Sequence, residues 1–199
     1  MKLFIQSILL MIVFTVLTGV LYPLIITGIA QVVFHDQANG SLIVRDGKVV
    51  GSELLAQQFT GDKYFWPRPS AGGYATVPSG ASNLGPTSQA LQSNVTANAA
   101  AFRTGNKLAA DASVPADMVF TSASGLDPHI SPEAARLQVG RVAAARGIGA
   151  DQVKALVEKF VESPQWGIFG EERVNVLRLN LALDGLNTKK AEGTGTVKG

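Results

Sequence analysis

LFIQSILLMIVFTVLTGVLYPLIITGIAQVVF, from Leu3 to Phe34, runs for 32 residues without a charge. As a helix it is about 48 Å long at about 1.5 Å per residue, and a bilayer core needs only about 20 residues. A cleavable signal has an apolar region of roughly 7–15 residues and a small-residue cleavage site. The run is longer than that, so it reads as a retained anchor. The chain beyond Phe34 mixes helix and strand signals. The expected fold class is therefore an α+β soluble domain with one N-terminal transmembrane helix. The anchor is 1–34, the soluble domain 35–186, and a polar, Gly-rich flexible tail 187–199.

Orientation is read from flanking charge and tail length. Lys2 lies before the span and Arg45 and Lys48 lie beyond it, which gives no clear charge bias. A short tail ahead of a first span is expected to stay in the cytoplasm, which puts the soluble domain outside. The chain has no cysteine, which removes disulfides, thiol chemistry and cysteine metal sites. There are 17 Lys and Arg against 15 Asp and Glu. Without Lys2 and the tail, 13 basic residues face 14 acidic ones. A folded part so nearly neutral lacks the basic field that nucleic-acid binding needs.

Within the span, every fourth residue from Ser7 is Met11, Thr15, Gly19, Pro23, Thr27 and Gln31. Most are small or weakly polar. Thr15, Gly19, Pro23 and Thr27 form a stripe along which a partner helix can approach closely. Gly and Pro are also simply common in membrane helices. Pro23 is expected to kink or interrupt the helix.

Past the span, Asp46-Gly47 between Leu42–Val44 and Lys48–Val50 is a hairpin signal. Ser52 is expected to cap a short helix through Gln57. Thr87 to Thr104 reads as a helix with Gly105 as its stop. Asp111 to Asp117 reads as linker and Met118 to Thr121 as a short strand. Ser131-Pro132-Glu133 starts a helix that ends at Gly147. Asp151 to Glu162 is amphipathic, with Val153, Leu156, Val157, Phe160 and Val161 on one face. Arg173 to Leu183 alternates and reads as a strand with one buried face.

Two clusters carry candidate chemistry. YFWPRPSAGGYATVPSGASNLGP, Tyr64 to Pro86, has the glycine spacing of a phosphate loop. It has no lysine where a Walker motif requires one. Arg68 is its only cation, so a small-anion site at Arg68 and the glycines stays open. Pro67, Pro69, Pro78 and Pro86 stiffen the loop. Tyr64, Phe65, Trp66 and Tyr74 supply flat contact area of the kind interfaces favour, or they close the domain's own core. Ser124, Asp127 and His129 hold the side-chain types of a hydrolase triad. They sit too close together in sequence for the usual arrangement, and no G-x-S-x-G elbow is present. No H-x-x-H or carboxylate–histidine cluster suggests a metal.

Five segments, in order, resemble one family. They are GSELLAQQF (Gly51–Phe59), YFWPRPSAGGY (Tyr64–Tyr74), SGASNLGPTS (Ser79–Ser88), VPADMVFTSASGLDPHISPEAA (Val114–Ala135) and RVNVLRLNLALDG (Arg173–Gly185). With the single anchor, they are similar to the C subunit of the bacterial Kdp potassium-transporting ATPase. Trp66 stands where that family often has a small or polar residue or histidine. The resemblance implies a non-catalytic accessory subunit of a high-affinity, ATP-driven K⁺ uptake complex, not an enzyme. Such a subunit is needed for assembly and raises the ATP affinity of the hydrolysing subunit. Its partners would be an ATP-hydrolysing P-type subunit and a channel-like K⁺-binding subunit. It would sit in the bacterial inner membrane, N-terminus in the cytoplasm and soluble domain in the periplasm. No firmly bound cofactor or metal is implied, only an association with ATP. On this reading Tyr64, Trp66, Arg68, Ser82 and Asn83, with the Thr15–Thr27 stripe, are the subunit-contacting residues. A membrane-anchored hydrolase and an anion-binding protein remain the alternatives.

Overall fold

The computed structural model describes residues 1–193, with side chains through Leu186. Two compact units divide between Ser52 and Glu53.

The first unit begins with α1 (Lys2–Val16), a π-helical turn (Leu17–Leu21) and α2 (Tyr22–Val33). Together they form one helix of 32 residues with a mean hydropathy of 2.5, long and apolar enough to cross a membrane. The π turn ends two residues before Pro23, which has no N–H to give to Gly19. The proline ring would also press on that carbonyl, and widening the preceding turn relieves the clash. The short α3 (His35–Ala38) follows. Then β1 (Leu42–Arg45) and β2 (Lys48–Ser52) pair antiparallel around Asp46-Gly47, as the sequence predicts. Asp46 and Gly47 both have positive φ, 52° and 74°, which matches the twist of a two-residue hairpin turn. Ser52 does not cap a helix. Its hydroxyl donates to the Gly40 carbonyl at 2.7 Å and its backbone pairs with Leu42, so the chain turns at Glu53 without helix.

The second unit holds α4 (Gln89–Asn106), α5 (Ala116–Val119), β3 (His129–Ile130), α6 (Pro132–Arg146), α7 (Ala150–Lys159), β4 (Val161–Glu162), β5 (Arg173–Asn175) and α8 (Val176–Gly193). Its sheet is small and antiparallel, ordered β3-β5-β4. The helices close a core around Phe65, Ile130, Val142, Val153, Val157, Val174, Leu179 and Leu183. The fold class is α+β, as expected.

α6 follows its sequence signals. The Ser131 hydroxyl accepts from the Ala134 N–H, Pro132 occupies the first turn, and Gly147 takes the left-handed position at the end. α7 stops three residues short of the expectation, because Val161 and Glu162 pair with Val174 and Arg173 instead. Residues 118–121 do not form a strand. A single helical turn, α5, forms after Pro115. The Asp117 carboxylate there accepts from the Ser131 N–H and hydroxyl at 2.7 and 3.1 Å. α4 runs through Gly105 rather than stopping at it, and Lys107 takes the left-handed cap position.

The largest correction is at Arg173–Leu183. Only Arg173–Asn175 is strand, and the rest is α8. The leucines that alternate also recur at helical spacing. Val176, Leu179 and Leu183 are buried on one face, with Asn180 beside them. Asn175 caps the helix by accepting from the Arg178 N–H at 3.1 Å. Leu177 to Leu186 contains no β-branched residue, and Leu, Arg and Ala favour helix. α8 extends beyond Asn187, where the tail was expected to begin; the rest of that tail, residues 194–199, lies outside the described residues.

Candidate functional site

The segment Asp62–Trp66 leaves a turn closed by the Tyr64 N–H on the Gly61 carbonyl and lies against α6 and α8, held by side chains rather than by a neighbouring strand. Asn180 accepts from the Phe65 N–H at 2.8 Å and donates to the Phe65 carbonyl at 3.0 Å. Gln138 does the same for Trp66, at 2.7 and 3.2 Å. A carboxamide carries one acceptor and two donors, so each side chain mimics one rung of a β-ladder. Phe65, Gln138 and Asn180 are all buried, where an unpaired backbone group would be costly.

Arg141 fastens the same segment. It donates to the carbonyls of Asp62 and Tyr64 at 2.7 and 2.9 Å, to Asn106 at 2.9 Å and to Gln138 at 2.7 Å. Its guanidinium lies 3.8 Å from the centre of the Trp66 ring, in cation–π geometry. Burial lowers its pKa to about 10, so the group stays charged at neutral pH. The six-membered ring of Trp66 also meets Gly105, where a methyl group would overlap it. Tyr64 is tied in too: its ring packs on Phe59 and its hydroxyl reaches Asp184 at 3.3 Å. Arg146 bridges Asp184 and the Lys63 carbonyl at 2.9 and 2.6 Å. Tyr64 and Trp66 therefore direct most of their contacts into the domain.

The two clusters read separately in the sequence meet in space. Arg68 donates to Asp127 at 2.7 Å. Asp127 also accepts from the His129 N–H at 3.0 Å, and its carboxylate is 3.3 Å from His129 Nδ1. Gly125 takes φ of +70°; a Cβ there would crowd the Gly80 carbonyl and the Ser70 hydroxyl, both at 3.2 Å. The Tyr74 hydroxyl donates to the Arg68 carbonyl at 2.7 Å, and burial raises its pKa. Burial alone would raise the Asp127 pKa. The hydrogen bonds from His129 and the Arg68 charge outweigh it and hold that pKa at about 2.

This geometry does not assemble a triad. Asp127 and His129 pair, but the Ser124 hydroxyl accepts from the Leu126 N–H at 3.1 Å in its own turn. The far nitrogen of His129 faces Glu162 at 4.0 Å, where a triad would place its serine. Nor do the surroundings suit an anion. The cavity beside Arg68, about 480 Å³, is lined by Asp117, Asp127, Glu171 and Glu172 against Arg68 and Arg173. Ser82 and Asn83 lie elsewhere, on a neutral cavity of about 690 Å³ with Ser70, Asn94, Asn98 and Thr121. No group of three or more His, Asp and Glu able to hold a metal occurs among the described residues.

In the first unit, Thr15, Gly19, Pro23 and Thr27 are exposed along the helix. Thr15 returns its hydroxyl to the Met11 carbonyl at 2.7 Å, and apart from the helix's own backbone nothing lies within 4 Å of a Cβ at Gly19. The sequence reading missed Gln138, Arg141 and Asn180. Polar residues on otherwise apolar helix faces were the available signal.

Residues 4–185 match the family described as KdpC: K⁺-transporting ATPase, c chain. The chain belongs to the KdpC family. It is 57% identical over 172 residues to a potassium-transporting ATPase KdpC subunit of Rhodospirillum rubrum, covering 85% of this chain and 89% of that one. It is 52% identical over 178 residues to the subunit of the same name from Mycobacterium tuberculosis, covering 88% and 94%. For that of Dechloromonas aromatica the identity is 52% over 184 residues, covering 89% and 94%.

Proposed function

We propose that this KdpC-family chain is a non-catalytic, membrane-anchored accessory subunit of a Kdp-type K⁺-transporting ATPase. It supports assembly of the complex and raises the ATP affinity of the hydrolysing subunit. The observation that carries this reading is the family match over nearly the whole chain, by name a chain of a K⁺-transporting ATPase. The site geometry supports the non-catalytic part. Asp127, His129 and Arg68 are engaged with one another, while Ser124 is turned into its own loop. Partners are a P-type ATP-hydrolysing subunit and a channel-like K⁺-binding subunit, in the inner membrane. Thr15, Gly19, Pro23 and Thr27 face a partner helix. Ser82 and Asn83 present the outer surface of the loop that Tyr64, Trp66 and Arg68 brace from within.

With the soluble domain in the periplasm, the chain cannot touch cytoplasmic ATP. Its effect on nucleotide affinity is then a coupling free energy carried through the membrane part. The test is gentle detergent extraction of the tagged chain from K⁺-starved cells. Co-purification of a P-type subunit and a polytopic subunit is expected. The ATP concentration for half-maximal hydrolysis should rise when the chain is stripped away. A chain recovered alone in several mild detergents would refute the role.

A further inference from the structure

Between β4 and β5 the chain turns through Pro164–Gly170, and its apolar side chains point outward. Trp166 is 81% exposed, Ile168 78% and Phe169 59%. The turn is nonetheless ordered by its own backbone. Gln165 and Phe169 exchange both hydrogen bonds, at 2.8 and 3.0 Å, and the Gly167 N–H donates to the Pro164 carbonyl at 2.9 Å. Trp166 sits at φ of +54°, a conformation bulky side chains avoid. Its ring stacks edge-on against Phe169, centroids 6.0 Å apart. The backbone thus presents three large apolar groups to water, with the Trp166 and Phe169 rings held against each other. Aromatic anchors of this kind bind with little entropy left to lose. Glu171 and Glu172 follow at once, both exposed; Glu172 feels the charge of Arg136, which is itself paired with Glu158.

We propose that the Trp166–Phe169 tip is a docking anchor that inserts into an apolar pocket, rimmed by Lys or Arg, on another subunit of the complex. The proposal rests on the subunit role given above. The two carboxylates decide between protein and lipid. Segments that insert into membranes carry basic residues toward anionic headgroups; acidic ones at the base of this tip would be repelled. A basic-rimmed protein pocket meets both features at once.

The test keeps the full chain in its membrane. A photo-crosslinking benzoylphenylalanine replaces Ile168, K⁺-starved cells are irradiated, and the adduct is identified by mass spectrometry. The expected adduct is with a subunit that also co-purifies with the unsubstituted chain. Trp166→Ala with Phe169→Ala should weaken retention of that subunit about 30-fold, the scale of a truncated hot spot. Glu171→Lys with Glu172→Lys should weaken it as well. These side chains pack on little, so melting should be unchanged; should the double alanine variant unfold, the Ile168 adduct still decides. An adduct with phospholipid alone, with a second copy of this chain, or with nothing while the unsubstituted chain retains its partners overturns the docking role. An unsubstituted chain that purifies alone refutes the subunit role itself.

Discussion

Asn180→Leu removes one rung of the side-chain ladder without changing the side chain's size much. Asn180 and Phe65 are both buried, and the carboxamide satisfies the Phe65 N–H and carbonyl. Leucine strands both groups in the core. An unsatisfied buried group costs about 1–3 kcal/mol, so two cost about 2–6. The added apolar surface of leucine returns at most about 1–2 kcal/mol. The net expectation is a loss of about 3 kcal/mol, a large share of the 5–15 kcal/mol that domains typically have. Urea unfolding of the detergent-solubilised chain would measure it. Trp66 fluorescence is the probe, with Trp166→Phe in the background so that only the clamped indole reports. Gln138→Leu holds the adjacent residue by the same geometry, and the pair should be non-additive by about 1 kcal/mol or more. A loss under about 1 kcal/mol for Asn180→Leu, or strict additivity of the pair, would refute the ladder as the device holding this segment.

Arg141→Lys keeps a charge but loses the planar stack on Trp66 and most of its four hydrogen-bond partners. It should cost about 2–4 kcal/mol in the same unfolding assay, with a red-shifted Trp66 emission. Gly105→Ala and Gly140→Ala should move stability in opposite directions. The first drives a methyl into the Trp66 ring and should cost about 1–3 kcal/mol. The second adds a methyl in open space on α6 and should gain about 0.5–1 kcal/mol. The Asp127 pKa falls from 3.8 to about 2 on folding, so its contribution is present above pH 3.8 and is lost as pH falls through about 2. Solvent screening at this partly exposed pair limits that contribution to about 1 kcal/mol. Asp127→Asn should therefore lower stability at pH 6 and flatten its dependence between pH 4 and 2, read by thermal melts across that range.

How far the sequence carries the reading differs from element to element. Ser131-Pro132 and Gly147 announce both ends of α6, because capping and left-handed geometry depend on residues adjacent in the chain. The Asp46-Gly47 turn is legible for the same reason. Arg173–Leu183 is ambiguous because its leucines satisfy period 2 and period 3.6 together. Gly105 is misread because its small size serves a ring 39 positions away in the chain.

By itself, then, the sequence determined the apolar helix, the α+β class, both ends of α6 and membership in a family. Each of these rests on local chemistry or on long ordered motifs. Only the tertiary structure decided that Asn180, Gln138 and Arg141 hold Asp62–Trp66, that Arg68 meets Asp127, and that Trp166 is left in water. Those are meetings between residues far apart in the chain, or the lack of one, and burial and hydrogen-bond satisfaction settle them after packing.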